Sequence, residues 1–307
     1  VLGGSTGLNL RAAADRVAVV VRVHRPHVTC ARVEALQLAR AAAALGGVPV
    51  ARTIFGRDGE RSVLADGCVI EVEEFVDSDG KMDSLPRIRQ AIAMLGRLHD
   101  ALVTAELPEA ADELRFANYL SAGEVATTTP NGVSRIRALD PALGEMADLA
   151  EALADDLATA EQSLTLLPSQ WCHGDLWDNN VLFRNDEIVL VADFGFMNRR
   201  PRLDDLALTL YFTLRELETA REGEVVRVLA GLADVYDSGT RRPLSPAERQ
   251  ALPLVLARQP LWSIAVWAAQ LDDPDAVAAH LDGHELALTR ARNILDDIDH
   301  WVEVFRS

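Results

Sequence analysis

The chain has 307 residues, 49% of them apolar and 5% aromatic, with a formal net charge of -17. That length allows one large domain or two modest ones, and the acidity argues against a basic face for DNA or RNA. No run of about 18 apolar residues is present to span a membrane, no signal peptide is read, and Cys30, Cys68 and Cys172 lack CxxC or metal-type spacing, a sparse set that points to a reducing cytoplasm.

The chain opens at Val1 with no Met, so a trimmed N-terminus is expected. Residues 1–25 read as a β-hairpin, with a turn at Gly3-Gly4-Ser5-Thr6-Gly7 and a Val-rich strand over 16–23. Val33, Leu36, Ala39 and Ala43 recur at helical spacing over 29–45, and Gly46-Gly47 stops that helix. Strands are expected at 48–55 and 68–76, and the polar run Asp77-Ser78-Asp79-Gly80 marks a boundary. A helix over 85–101 carries Ile88, Ala91, Ile92, Leu95 and Leu98 on one face. Further helices are expected at about 112–125, 134–140 and 145–164, then a short β-rich island over 171–196, then helices from 203 to 307. This order predicts an α+β, bilobal architecture: a small β-rich lobe at 1–76, a larger helical lobe at 77–307 and a ligand cleft between them.

The chemistry concentrates in the β-rich island. His173-x-Asp175-x-x-x-x-Asn180 is followed, after one strand pair, by Asp193-Phe194-Gly195. Phosphoryl transfer needs a carboxylate beside the attacking hydroxyl and hard oxygen ligands for Mg²⁺. Asp175 and Asn180 can serve those two needs from one loop. A strand pair over 180–183 and 188–192 would return Asp193 to the side of Asn180.

"HGDLWDNNVLF" (173–183) and "VADFG" (191–195) closely resemble the catalytic region of the aminoglycoside phosphotransferase/choline kinase family, and more distantly that of protein kinases. The resemblance spans most of the chain and implies a kinase-like fold. It implies Asp175 as catalytic base, Asn180 and Asp193 as Mg²⁺ ligands, and His173 as a support for the loop. The segment Gly3-Gly4-Ser5-Thr6-Gly7-Leu8-Asn9 resembles the phosphate-covering hairpin turn of that family, and no Walker A sequence is present. Residues 69–80 resemble the hinge, with adenine bonded to backbone near Glu74 and Val76, which leaves ATP and GTP both open. Asp205, in "RRPRLDDLALTL", is expected to cap a helix and support the catalytic loop.

In kinase-like proteins a Lys on these strands grips the phosphates, but the only Lys here, Lys81, lies beyond the boundary at 77–80, so the resemblance implies an Arg in that role. Arg22 has the matching position, with His24 as the alternative and Glu34 as the expected carboxylate partner. Gly174 stands where protein kinases carry Arg, and no APE segment follows, so a protein substrate is disfavoured. Acceptor contacts are expected from Asp178, Asp204, Trp262, Trp267, Asp272, Asp273, His284 and Glu285. The expected activity is transfer of a γ-phosphate from ATP or GTP, with Mg²⁺, to a hydroxyl of a small and possibly cationic acceptor. An aminoglycoside or related antibiotic is favoured; homoserine, an amino alcohol, a sugar and a nucleoside antibiotic are alternatives, and a non-catalytic nucleotide-binding pseudokinase is the reading of a different class. No nucleic-acid or membrane partner is expected.

Overall fold

The computed structural model describes residues 7–14, 17–114, 117–162, 164, 167–217, 222–268 and 274–307. The chain divides into two compact units. One contains Val1–Arg115, Ser169–Arg200 and Val235–Arg242; the other contains Phe116–Pro168, Pro201–Asp234 and Pro243–Ser307.

In the first unit, strands β1 (Gly7–Ala14) and β2 (Val17–His24) form an antiparallel hairpin with Asn9 opposite Arg22. The β-branched Val run of β2 suits a pleated surface. The register places Ala14 opposite Val17; of the expected turn at Gly3-Gly4-Ser5-Thr6-Gly7 only Gly7 is described, where it opens β1, and the rest lies outside the described residues. Strands β3 (Val63–Ala65) and β4 (Cys68–Glu74) complete a sheet of order β1-β2-β4-β3, in which Arg22 lies opposite Glu71. The strand expected over 48–55 is reduced to a single bridge, Thr53 to Glu73. Pro49 has no N–H for a ladder, and its carbonyl instead accepts from Val191 N at 2.7 Å.

Helix α1 (Cys30–Leu45) starts at Thr29, whose side chain accepts from Arg32 N, and buries Val33, Leu36, Ala39 and Ala43 as its periodicity predicts. It also buries Arg32, Gln37 and Arg40, while Glu34 is exposed. Strand β5 (Gly80–Lys81) leads to helix α2 (Leu85–Val103), whose face of Ile88, Ala91, Ile92, Leu95 and Leu98 is fully buried. The β-rich island supplies β6 (Ser169–Cys172), β7 (Val181–Arg184), β8 (Glu187–Val191) and β9 (Asn198–Pro201). They form a three-stranded sheet β5-β7-β8 and a two-stranded sheet β6-β9. Residues 235–242 join this unit through Tyr236 OH against His99 Nδ1 at 2.7 Å and through Asp100, which accepts from Thr240 and Arg241.

The second unit is helical. It contains α3 (Val125–Leu139), α4 (Gly144–Glu161), α5 (Arg202–Thr213), the first part of α6 (Glu222–Gly239), α7 (Pro246–Trp262), α8 (Pro274–His280), α9 (His284–Asp296) and α10 (Ile298–Arg306). Helix α7 is buried on all sides from Ala251 to Trp262, which makes it the central helix of the unit. A capping box, Ser245 with Glu248, starts it, and the Glu248 carboxylate also accepts from Arg202 at 2.7 and 2.9 Å. Among the described residues the helix expected over 112–125 is not formed. A 3-10 turn at Glu109–Asp112 precedes that stretch, and α3 begins only where Ser121 donates to the Glu124 carboxylate. Among the described residues no helix is long and apolar enough to cross a membrane.

Candidate active site

The sequence-predicted chemical residues of the island meet within the first unit. Asn180 sits immediately before β7, and the β7–β8 register pairs Val181 with Val191. Ala192 N therefore donates to Asn180 O at 2.8 Å, and Asp193 follows directly beside Asn180. From below, Asn180 Nδ2 donates to the Asp175 carboxylate and to the Asp175 carbonyl, both at 2.8 Å. With its nitrogen committed to Asp175, Asn180 offers its amide oxygen to a cation. Asp193, one residue beyond the Ala192 that bonds Asn180, adds a carboxylate, and an amide oxygen with a carboxylate is a hard donor set that fits Mg²⁺.

His173 orients both ends of this arrangement. Its Nδ1 accepts from Asp175 N at 3.2 Å, so its Nε2 carries the proton and donates to Ala192 O at 2.9 Å. Its ring packs edge-on against Phe194 at 4.8 Å. Asp193 adopts the left-handed region, φ 57° and ψ 70°, and its carboxylate accepts from Gly195 N. Asp tolerates that region better than most residues, yet it still costs about 1–2 kcal/mol. Surrounding contacts must therefore hold it. Gly174 has φ +79°, and a Cβ there would collide with Phe196 O and the Arg200 guanidinium. This close approach explains why a Gly, and not the Arg of protein kinases, fills the position.

Arg22 lies on β2 with its guanidinium 3.5 Å from the Asp193 carboxylate and 2.9 Å from Glu73, with Glu71 at 3.9 Å. The expected partner Glu34 is corrected by this geometry. It projects from the exposed face of α1, whereas Glu71 and Glu73 occupy the buried face of β4 beside Arg22. Burial opposes the Arg22 charge, but Glu73 and Asp193 outweigh it, and the guanidinium holds its proton more tightly than a free one. His24, on the same face of β2, bonds Glu71 at 3.0 Å. Glu71 also accepts from Gln37 and Arg40 of α1. Burial raises its pKa, but Arg40 and these hydrogen bonds overcome that and hold it well below the usual carboxylate range. The β4 carboxylates thus receive cationic groups from two sides, Arg22 and His24 of β2 and Arg40 of α1.

A model of the phosphotransferase enzyme family matches residues 3–244. The chain belongs to that family. It is accordingly a small-molecule kinase, as the motif resemblance implied. None of the curated proteins compared matches the chain. Among solved structures, the fold is similar to an amicoumacin kinase complexed with AMP-PNP, Ca²⁺ and amicoumacin (12% identity, TM-score 0.67, 96% of this chain and 87% of that one). It is similar to a microcompartment-associated aminopropanol kinase (18%, 0.67, 95% and 90%). It is also similar to an aminoglycoside phosphotransferase from Alicyclobacillus acidocaldarius (17%, 0.59, 98% and 94%). These likenesses show the α+β kinase-like fold.

The remaining expected residues of this phosphotransferase fall in varied places. Gly4, Ser5, Thr6, Asp272 and Asp273 lie outside the described residues, and Asn9 lies on β1 opposite Arg22. The Glu74 side chain pairs with Arg52 at 2.8 Å on the surface. Phe75 N donates to Ala18 O, and Arg11 covers the Phe75 ring at 4.1 Å. Val76, within the expected hinge, is half-buried. Asp178 is paired with Lys81 at 2.9 Å, and the same ammonium reaches Asn179.

In the second unit, Asp204 is buried and ion-paired with Arg258, which also binds Glu161; it is closed to an acceptor. Asp205 is buried in the first turn of α5. Helix α7 runs into a π-helical turn, Ser263–Trp267, a distortion frequent at functional sites. Ser263 Oγ bonds His280 Nε2 at 2.8 Å and Trp267 Nε1 donates to Asn118. Trp262 is buried, and its Nε1 has no hydrogen-bond partner among the described residues. Burial, then the nearby His280, push the half-buried His284 down to about 4, and Glu285 is exposed.

Glu73 and Glu71 escaped the sequence reading, although a signal exists. In "VIEVEEF" they share strand parity with the buried Val69, a face where acidic residues need cationic partners.

Proposed function

We propose that this phosphotransferase moves the γ-phosphate of ATP to a hydroxyl of a small, amine-bearing molecule, with an aminoglycoside or related antibiotic favoured. The observation that carries the reading is the hydrogen bond from Asn180 to the Asp175 carboxylate, made at the strand end that also carries Asp193. In this reading residues 1–76 hold the nucleotide and residues 77–307 supply the catalytic loop and the acceptor contacts. Arg22 grips the phosphates, and backbone groups near Glu74 and Val76 meet the base. Asn180 and Asp193 hold Mg²⁺, which when bound neutralises charge on the transferring phosphoryl group. Asp175 accepts the proton of the acceptor hydroxyl as its oxygen bonds to the γ-phosphorus. The bond from that phosphorus to the β,γ-bridging oxygen breaks, and ADP leaves.

Two observations support an amine-bearing acceptor. The net charge of -17 favours cationic ligands, and two of the similar folds are an aminopropanol kinase and an aminoglycoside phosphotransferase. The three free cysteines fit a cytoplasmic enzyme. The test is ADP release with ATP or GTP against aminoglycosides, amino alcohols, homoserine, sugars and nucleoside antibiotics, with the product identified by ³¹P NMR. Turnover confined to a neutral sugar would overturn the amine reading. Nucleotide binding with no turnover on any member would support the pseudokinase instead.

A further inference from the structure

We propose that Arg32 is a positioning residue that fixes the turn carrying Asp193 against α1, and so sets the cation-binding geometry of the site. The proposal rests on the reading of Asp193 as a cation ligand.

The Arg32 side chain is 4% exposed. Its Nη1 donates to the carbonyls of Ala110 and Ala111 in the 3-10 turn Glu109–Asp112. Its Nη2 donates to Gly195 O at 3.1 Å and Met197 O at 2.7 Å. One planar guanidinium thus joins two backbone segments that lie 78 to 165 residues from it in sequence. Five donors in a fixed fork permit this; the three donors of a Lys ammonium diverge from one point and would serve fewer of these carbonyls. Asp112 and Glu113 oppose the effect of burial, which lowers the Arg32 pKa to about 10, so the group remains charged at neutral pH.

The segment it holds is the one that determines where Asp193 points. Phe194–Phe196 is a single 3-10 turn whose entry residue, Asp193, is left-handed. Side chains hold four carbonyls around this turn: Ala192 is held by His173, Phe196 by Arg200, and Gly195 and Met197 by Arg32. Of these only Arg32 comes from α1. Eight residues further along the same helix, Arg40 binds Glu71, the carboxylate opposite Arg22. At about 1.5 Å per residue the two positions are about 12 Å apart along the helix axis. A rigid helix therefore links the sheet bearing Arg22 to the turn bearing Asp193.

The experiment measures the affinity of AMP-PNP by calorimetry, with Mg²⁺ and with EDTA, for the full chain and for Arg32→Gln and Arg32→Lys. In the unaltered protein Mg²⁺ is expected to tighten binding. Arg32→Gln should lose at least about fivefold of that gain while its affinity in EDTA changes less than about twofold, and Arg32→Lys should recover part of it. Should Arg32→Gln fail to fold, Arg32→Lys carries the same comparison with a smaller loss. Retention of the full Mg²⁺ gain by the folded variants, or equal weakening with and without Mg²⁺, overturns the positioning role. Absence of any Mg²⁺ gain in the unaltered protein overturns the cation-ligand reading of Asp193, and this inference with it.

Discussion

Arg22 Nη2 lies 2.9 Å from Glu73 Oε1, two residues that are 51 apart in sequence and that adjacent strands bring together. The carboxylate that steadies this cation therefore belongs to the sheet, while Glu34 on α1 faces outward. Glu73→Gln is expected to lower kcat about tenfold, a barrier increase of about 1.4 kcal/mol, because the guanidinium loses a charge-assisted anchor. Glu34→Gln should leave kcat and the KM for ATP within about twofold. Arg22→Ala should raise that KM and lower kcat, with Arg22→Lys recovering only part. Steady-state kinetics on the four variants decide it; a Glu34→Gln defect as large as that of Glu73→Gln would reverse the assignment.

Asp175 is the candidate base. It is 8% exposed, and its carboxylate is oriented by Asn180. Asp175→Ala should reduce kcat by at least about 10²-fold, the usual consequence of losing a general base. Affinity for ATP, measured by calorimetry, should persist because in the proposed role the carboxylate serves the acceptor hydroxyl and not the nucleotide. Unchanged turnover in Asp175→Ala would remove the proposed mechanism.

The parts of the molecule that local sequence specifies were legible. Val33, Leu36, Ala39 and Ala43 set the buried stripe of α1, and Gly46-Gly47 set its end. The island was legible because Asp175, Asn180 and Asp193 come in order around a strand pair whose register could be anticipated. What failed depended on distant contacts. Pro49 could not join a ladder, and the strand expected there dissolved into a loop. Helix α3 runs through Thr127-Thr128-Thr129-Pro130, residues of poor helix propensity. It starts only at Val125, after a turn in which Ser121 donates to the Glu124 carboxylate. The partner of Arg22 required knowing which strand pairs with β2, and no local pattern carries that. Residues expected to meet the acceptor had no motif behind them, and Asp204 proved to be taken up by Arg258.

Gly174 tests the close packing of the catalytic loop. Its φ of +79° disfavours any side chain, and an added Cβ would also meet Phe196 O and Arg200. Gly174→Ala should destabilise the protein by at least about 1–2 kcal/mol from the backbone alone, with the collision adding to it. In a protein of this size that predicts a fall in Tm of a few degrees or more, roughly 2 °C per kcal/mol, measurable by scanning calorimetry. A Tm equal to that of the unaltered protein would show that the loop can shift away from Phe196 without penalty.

Arg258 serves two carboxylates at once, Glu161 at the end of α4 and Asp204 at the start of α5, all within the second unit. One positive charge facing two negative ones in a buried place leaves a net negative charge, and Tyr119 also lies in the field of Arg258. Burial, opposed by Arg258 and reinforced by Asp204, pushes Glu161 up to about 7 from an ordinary value of 4.5. Between those two values the folded chain holds a proton that the unfolded chain has released. Linkage then makes stability fall as pH rises through that interval, with the contribution present below about 4.5 and gone above about 7. Glu161→Gln keeps an acceptor for Arg258 but cannot ionise, so this slope should vanish in the variant. Carboxylates held low, such as Glu71 and Glu248, lose their contribution as pH falls below the ordinary carboxylate range, and the variant shares them, so they cancel in the comparison. The difference in Tm, variant minus unaltered protein, should therefore grow by a few degrees between about pH 5 and pH 7.5. A difference constant across that range would mean that Glu161 stays ionised throughout and that Arg258 alone balances both carboxylates.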